Sequence, residues 1–242
     1  MNQNSMQDTF NYLMSNYKRE YSKEATEELE SFLDEYLKVY PCDTEKWILL
    51  ALIVYYPPLH DDVKAENCLK RVLEYDPNNI RVTLLLVYIV THYCYTNQDL
   101  FERLNNLHTD DKALLALIEY EKSWYYSVIK DHENYGNSLK KSVELCDTYV
   151  RNNAKLGYFY LEKNRLSEGY KYLKKALDNV QYVYEENHDK DFLDIEEFFN
   201  ERLRGIHISR PNFEILCESF DPKSPWMTGD FTKKNKYKMG ES

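Results

Sequence analysis

Leu69-Lys70-Arg71-Val72-Leu73, Leu139-Lys140-Lys141-Ser142-Val143 and Leu173-Lys174-Lys175-Ala176-Leu177 are three copies of one short phrase. Fainter copies stand at Leu33-Asp34-Glu35-Tyr36-Leu37 and Leu104-Asn105-Asn106-Leu107. The leading leucines are spaced by 36, 35, 35 and 34 residues. Self-similarity at a period of about 20–50 residues marks a stacked repeat, because one such unit cannot bury its own apolar face. Within the clearest copies the apolar residues fall at i, i+3 and i+4, the spacing of an amphipathic helix, and the paired lysines point to solvent. Such arrays usually offer a binding surface rather than a reaction vessel.

Other residues share the interval. The stretch from Thr44 to Asn79 carries Trp47, Leu50-Ala51, Val54, Ala65, Leu69, Val72 and Pro77, with two extra residues accommodated in Pro57–Asp62. The stretch from Val150 to Gln181 carries Leu156-Gly157, Tyr160, Gly169, Leu173 and Ala176. Ser123, Tyr126, Tyr135, Leu139 and Ser142 precede the matching positions of that stretch by 34 residues. This pattern resembles the tetratricopeptide repeat, a helix–turn–helix unit of about 34 residues. The resemblance covers residues 6 to 181, strongest in the two stretches just quoted. Around Leu104 most signature residues are missing, and no clear first helix is legible ahead of Leu33. The resemblance implies an all-α, right-handed solenoid of about five helix pairs. Small residues at Ala51, Ser123 and Gly157 would let the two helices of a unit approach closely. Pro41, Pro57-Pro58 and Pro77 read as helix stops, since proline lacks an N–H and clashes with the preceding turn.

After Gln181 the phrase ends. Asp191–Arg204 and a segment opened by Ser209-Arg210-Pro211 read as two helices that cap the array. The organisation expected is repeats over 1–185, capping helices over 186–220 and a flexible basic tail over 221–242. Six glycines and seven prolines in 242 residues are few for a β-sandwich. No apolar run reaches the roughly 18 residues of a membrane span. The first ten residues lack the basic start and apolar core of a signal peptide. The five cysteines are widely spaced, with no zinc pattern, which fits free thiols in a reducing, cytoplasmic compartment.

The net charge is −10, and the last 22 residues carry a surplus of two positive charges, so the body carries −12. Acidic stretches run from Glu27-Glu28 to Glu35 and from Glu185 to Glu201. Such a surface repels phosphate backbones and favours a basic partner, though acidity also serves plain solubility. No glycine-rich phosphate loop or nucleophile elbow occurs. His60-Asp61-Asp62 lies in a proline-bearing turn. His188-Asp189-Lys190-Asp191 with Asp194 lacks the glycine of a calcium loop. Glu196, Glu197 and Glu201 lack the Glu-x-x-His partner of a di-metal bundle. Neither an enzyme, a metal site nor a cofactor is expected.

Tyrosine is over-represented, with 23 residues, several of them clustered on first helices. The resemblance places first helices along the concave groove, where Tyr and Trp act as anchors. Groove positions then fall at Ile48, Leu52, Tyr55 and Tyr56; at Leu86 and Ile89; at Tyr120, Trp124 and Ser127; and at Arg151, Ala154, Tyr158 and Leu161. Tyr55, Leu86, Tyr120, Trp124, Arg151 and Tyr158 are the expected partner-binding residues. The Lys, Asn and Arg set with which some members of the family clamp a terminal carboxylate is largely absent. The reading is a non-catalytic module that binds a protein or peptide, basic in character, and neither nucleic acid nor membrane. One alternative is an antitoxin or immunity protein covering a basic enzyme. Another is a metal-binding or enzymatic protein using the acidic C-terminal half.

Overall fold

The computed structural model describes residues 3–93, 97–179, 193–204 and 210–223. Cys94, the His188–Asp191 run and the tail beyond residue 223 lie outside them. The described residues are all α, with helices α1 Gln3–Glu20, α2 Lys23–Val39, α3 Thr44–Tyr55, α4 Asp62–Tyr75, α5 Ile80–Tyr93 and α6 Gln98–Asn105. They continue with α7 Lys112–Val128, α8 His132–Leu145, α9 Val150–Glu162, α10 Leu166–Asn179, α11 Ile195–Arg204 and α12 Arg210–Ser219. The chain divides into two compact units. The first is Met1–Thr109 with Lys190–Phe198; the second is Asp110–Asp189 with Phe199–Ser242.

In the first unit α1 packs on α2, α3 on α4 and α5 on α6, and successive pairs join through α2 with α3 and α4 with α5. Leu33, Leu69 and Leu104 occupy α2, α4 and α6 and are no more than 2 % exposed. Leu50 to Val54 are wholly enclosed, so the C-terminal half of α3 is buried on every side. Lys64 on α4 reaches Glu30 at 2.5 Å and Asp34 at 2.7 Å on α2. Burial alone would lower its pKa, but the hydrogen bonds it donates to Asp34 and Glu30 outweigh that and raise it.

In the second unit α7 packs on α8 and α9 on α10, with Leu139 and Leu173 fully buried on α8 and α10. The α9–α10 crossing is close because of two glycines. A Cβ on Gly157 would meet Leu173 Cγ at 2.9 Å and the Gly169 carbonyl oxygen at 3.1 Å. Ser142, another small signature residue, donates from Oγ to the Ala116 carbonyl oxygen at 2.6 Å and accepts from Asn152 Nδ2 at 2.5 Å. The small positions thus bring helices together and, at Ser142, tie them.

The prolines end helices as expected: α2, α3 and α4 stop at Val39, Tyr55 and Tyr75. Helix starts are written in short acceptors. Asp43, Asp61, Asn97, Asp111 and Asp131 each cap a helix by accepting a main-chain N–H. Part of the chain's acidity therefore serves helix starts.

Three expectations are corrected. The first helix illegible in the sequence exists: among the described residues α1 is the longest helix, yet its only fully enclosed apolar side chain there is Tyr17, so its pattern is faint. The helix read over Asp191–Arg204 begins at Ile195, because Asp194 Oδ1 accepts the Glu197 N–H at 2.9 Å and so caps it. Of the two segments read as capping helices, α12 packs on α10. The first turn of α11 belongs to the first unit, where Phe198 meets Tyr88 edge-on at 5.2 Å and Glu196 pairs with Arg81.

Candidate interaction surface

In the second unit, α7 and α9 carry four of the six foreseen residues. Tyr120 and Trp124 stand four apart on α7 and share a face; Arg151, Lys155 and Tyr158 follow i, i+4, i+7 on α9. All five are half-buried. Lys155 Nζ lies over the Trp124 ring, 5.5 Å from its centroid. This cation–π contact is worth about 0.5–2 kcal/mol, more as the pair is drier. Burial pulls the Lys155 pKa down, Glu162 opposes that, and the like charge of Arg151 adds to it. Lys155 was not foreseen. Its signal was its spacing, four residues after Arg151 and three before Tyr158, both already chosen.

The Trp124 indole Nε1 is enclosed and has no acceptor among the described residues. A buried N–H left unpaired costs about 1–3 kcal/mol. The ring is therefore held at some expense in a place where it stacks on a cation and keeps part of its surface open.

Tyr120 and Tyr158 are partly committed to packing. Tyr120 lies against the cluster of Tyr135, Leu139, Val143, Leu156, Phe159 and Tyr160. Tyr158, with Ala154 and Leu161, lies against Val150, Leu173, Ala176, Phe213 and Cys217, the last two on α12. Three positions assigned to the open face of α9 thus meet the cluster that α12 completes. Burial raises the Tyr158 phenol pKa, and Cys217 nearby adds to it.

In the first unit Tyr55 is half-buried in an aromatic row. It meets Tyr56 at 5.4 Å and Tyr88 at 6.0 Å, both edge-to-face, and Tyr88 in turn meets Phe198. Leu86 is 1 % exposed and Ile89 fully buried, so neither has surface to offer a partner. The cause is α5 itself, apolar nearly all round, which turns Leu84 to Val87 into core. Tyr88 is the half-exposed side chain there, and its position 33 residues after Tyr55 was the signal available.

The carboxylates that suggested chemistry have structural partners. Asp61 of His60-Asp61-Asp62 caps α4 through the Lys64 N–H at 2.8 Å. Asp194 caps α11, and Glu196 pairs with Arg81. Among the described residues no group of three or more His, Cys, Asp or Glu is placed to hold a metal ion. Among them, too, no helix is long and apolar enough to cross a membrane.

No family model matches the sequence, and no curated protein matches it. Solved structures do match in shape. MamA, residues 41 to the end, from Desulfovibrio magneticus RS-1 is 16 % identical with a TM-score of 0.56, covering 76 % of this chain and 98 % of its own. PilW, titled a type IV pilus biogenesis factor, is 13 % identical with a TM-score of 0.57, over 95 % and 99 % of the two chains. PilF of Pseudomonas aeruginosa is 12 % identical with a TM-score of 0.57, over 93 % and 96 %. At such identities the likeness is one of fold, and it agrees with the repeated leucines: this chain has a tetratricopeptide-like helical-repeat fold.

Proposed function

We propose that this chain is a non-catalytic scaffold that binds a partner protein or peptide, with Trp124 as the anchor of its second unit. The supporting observation is the half-buried Trp124 ring beneath Lys155, with an indole N–H that has no acceptor among the described residues. Tyr120 and Arg151 flank it on the same helix faces. Side chains at interfaces often change rotamer on binding. A shift that brings the indole onto a carbonyl of an incoming chain would supply the missing hydrogen bond. In the first unit, the half-exposed Tyr55 and Tyr88 offer a second aromatic contact area.

The partner is basic on the whole, because the body carries −12 before residue 221. Oppositely charged surfaces speed encounter, and salt weakens that attraction. The four described cysteines are free thiols, which supports a cytoplasmic site of action.

Crosslinking in the source cells followed by mass spectrometry identifies the partner; titration calorimetry then measures it against purified variants. Trp124→Ala should weaken binding by about 2 kcal/mol or more, as expected for a hot spot. The association rate should fall several-fold between low salt and about 0.5 M. Unchanged affinity in Trp124→Ala would remove the anchor. Turnover of a substrate by the purified chain would remove the scaffold.

A further inference from the structure

The acidic run of the sequence has a definite place in the first unit. Along α1 and α2 an open cavity of about 740 Å³ is lined by Met6, Leu13, Phe32 and Tyr36 and walled by Glu24, Glu27, Glu28 and Glu35. Met6 and Leu13 are one heptad apart on α1, so both face the groove. Phe32 and Tyr36 continue the floor on α2, their rings stacked at 6.3 Å and 28°. All four floor residues are half-buried, so the floor presents apolar surface. The four glutamates are exposed.

The wall keeps a net negative charge. Lys23 approaches Glu27 at 3.6 Å, and Lys38 pairs with Glu35 at 2.5 Å. Glu24 and Glu28, one helical turn apart on α2, form no ion pair among the described residues. From Glu24 to Tyr36 the α2 wall is about 18 Å long at about 1.5 Å per residue, the length of some three helical turns. An apolar floor between two packed helices, edged by carboxylates, suits a helix with apolar residues on one face and Lys or Arg along its flanks.

We propose that the α1–α2 groove is a second docking site, taking a basic amphipathic helix of a partner protein. The helix lays apolar residues at i, i+3/4 and i+7 on Phe32, Tyr36, Leu13 and Met6. Its cations meet Glu24 and Glu28, which pair with no lysine among the described residues. The site rests on the reading of the chain as a scaffold and adds a recognition surface independent of Trp124.

The test uses the full chain and a labelled 18-residue peptide of Leu and Lys patterned as an amphipathic helix, read by fluorescence anisotropy. A scrambled peptide of the same composition is the control. The wild type should bind the patterned peptide with micromolar affinity and the scrambled one at least about tenfold more weakly. Glu24→Lys with Glu28→Lys alters only exposed side chains, and circular dichroism checks that the variant stays folded. It should weaken binding by about tenfold or more, and Phe32→Ala in the wild-type background should do the same. Equal binding of both peptides, or an unchanged affinity in the charge-reversed chain, overturns the proposal. So does a concentration-dependent dimer abolished by the same two substitutions, which would make a second copy the occupant. Trp124→Ala should leave the peptide affinity unchanged. Its failure with the natural partner therefore tests the scaffold anchor alone, and the peptide tests the groove alone.

Discussion

Gly157 on α9 and Gly169 on α10 face each other main chain to main chain: a Cβ built on either would stand 3.1 Å from the other's carbonyl oxygen. The approach is steric in origin. Neither residue has a left-handed backbone, so an alanine meets no conformational penalty there beyond the contact itself. Gly157→Val should destabilise the second unit by about 1–3 kcal/mol through overpacking. Urea unfolding followed by circular dichroism measures it.

Leu173 packs into the same crossing and is fully buried. Leu173→Ala should cost about 2–5 kcal/mol, the lost transfer energy plus the cavity left behind. The same urea experiment reads it. A cost under about 1 kcal/mol would show that α10 collapses onto the space.

Thr83 on α5 is fully buried, and its hydroxyl has no hydrogen-bond partner among the described residues. Thr83→Val keeps the shape and removes an unpaired polar atom. Stability should rise, by up to about 1–3 kcal/mol. A loss measured in thermal unfolding would mean that the hydroxyl is satisfied in solution.

Lys155 gives a pH signature. Burial lowers its folded pKa below the ordinary lysine value, with Glu162 opposing and Arg151 assisting. The folded state thus holds this proton less tightly than the unfolded chain does. Its contribution to stability grows as pH rises from the lowered pKa toward the unfolded value of about 10.4. Lys155→Met removes the titration. The stability of the variant relative to wild type should decline as pH rises through that window, measured by urea melts at stepped pH.

The thiols should separate by burial. Burial raises the Cys68 thiol to about 12 and the Cys217 thiol to about 11, whereas Cys42 is exposed. The thiolate is the reacting form. Alkylation of the native protein near pH 8 should modify Cys42 first and reach Cys68 and Cys217 only on unfolding, as peptide mass spectrometry would show. The stability linked to the Cys68 proton is complete below the ordinary thiol value of about 8.5. It is lost as pH climbs toward about 12.

Most of the fold was legible because it is local. Leu33, Leu69, Leu104, Leu139 and Leu173 announce buried positions by interval alone, and all five are core. Gly157 and Gly169 announce a close crossing by size. What escaped depends on partners far along the chain. Leu86 matched a groove position, yet α5 is apolar on nearly all sides, and only tertiary packing chooses which residues stay open. The meeting of Tyr88 with Phe198 is written in no period. The α1 helix was faint because so few of its side chains are enclosed, and that same property leaves Met6 and Leu13 available in the α1–α2 groove.

The docking of Phe198 against Tyr88 has a consequence for synthesis. The first unit takes its body from residues up to Thr109 but also includes the first turn of α11, up to Phe198. About 90 residues must be translated in between, which at about 5–20 residues per second takes roughly 5–20 s. During that interval the nascent chain holds the rest of the first unit while the Tyr55–Tyr88 edge waits for its last ring. A ribosome stalled before Phe198 would therefore display Tyr88 without its Phe198 partner to chaperones and to neighbouring nascent chains, whereas in the finished protein Phe198 meets that ring edge-on.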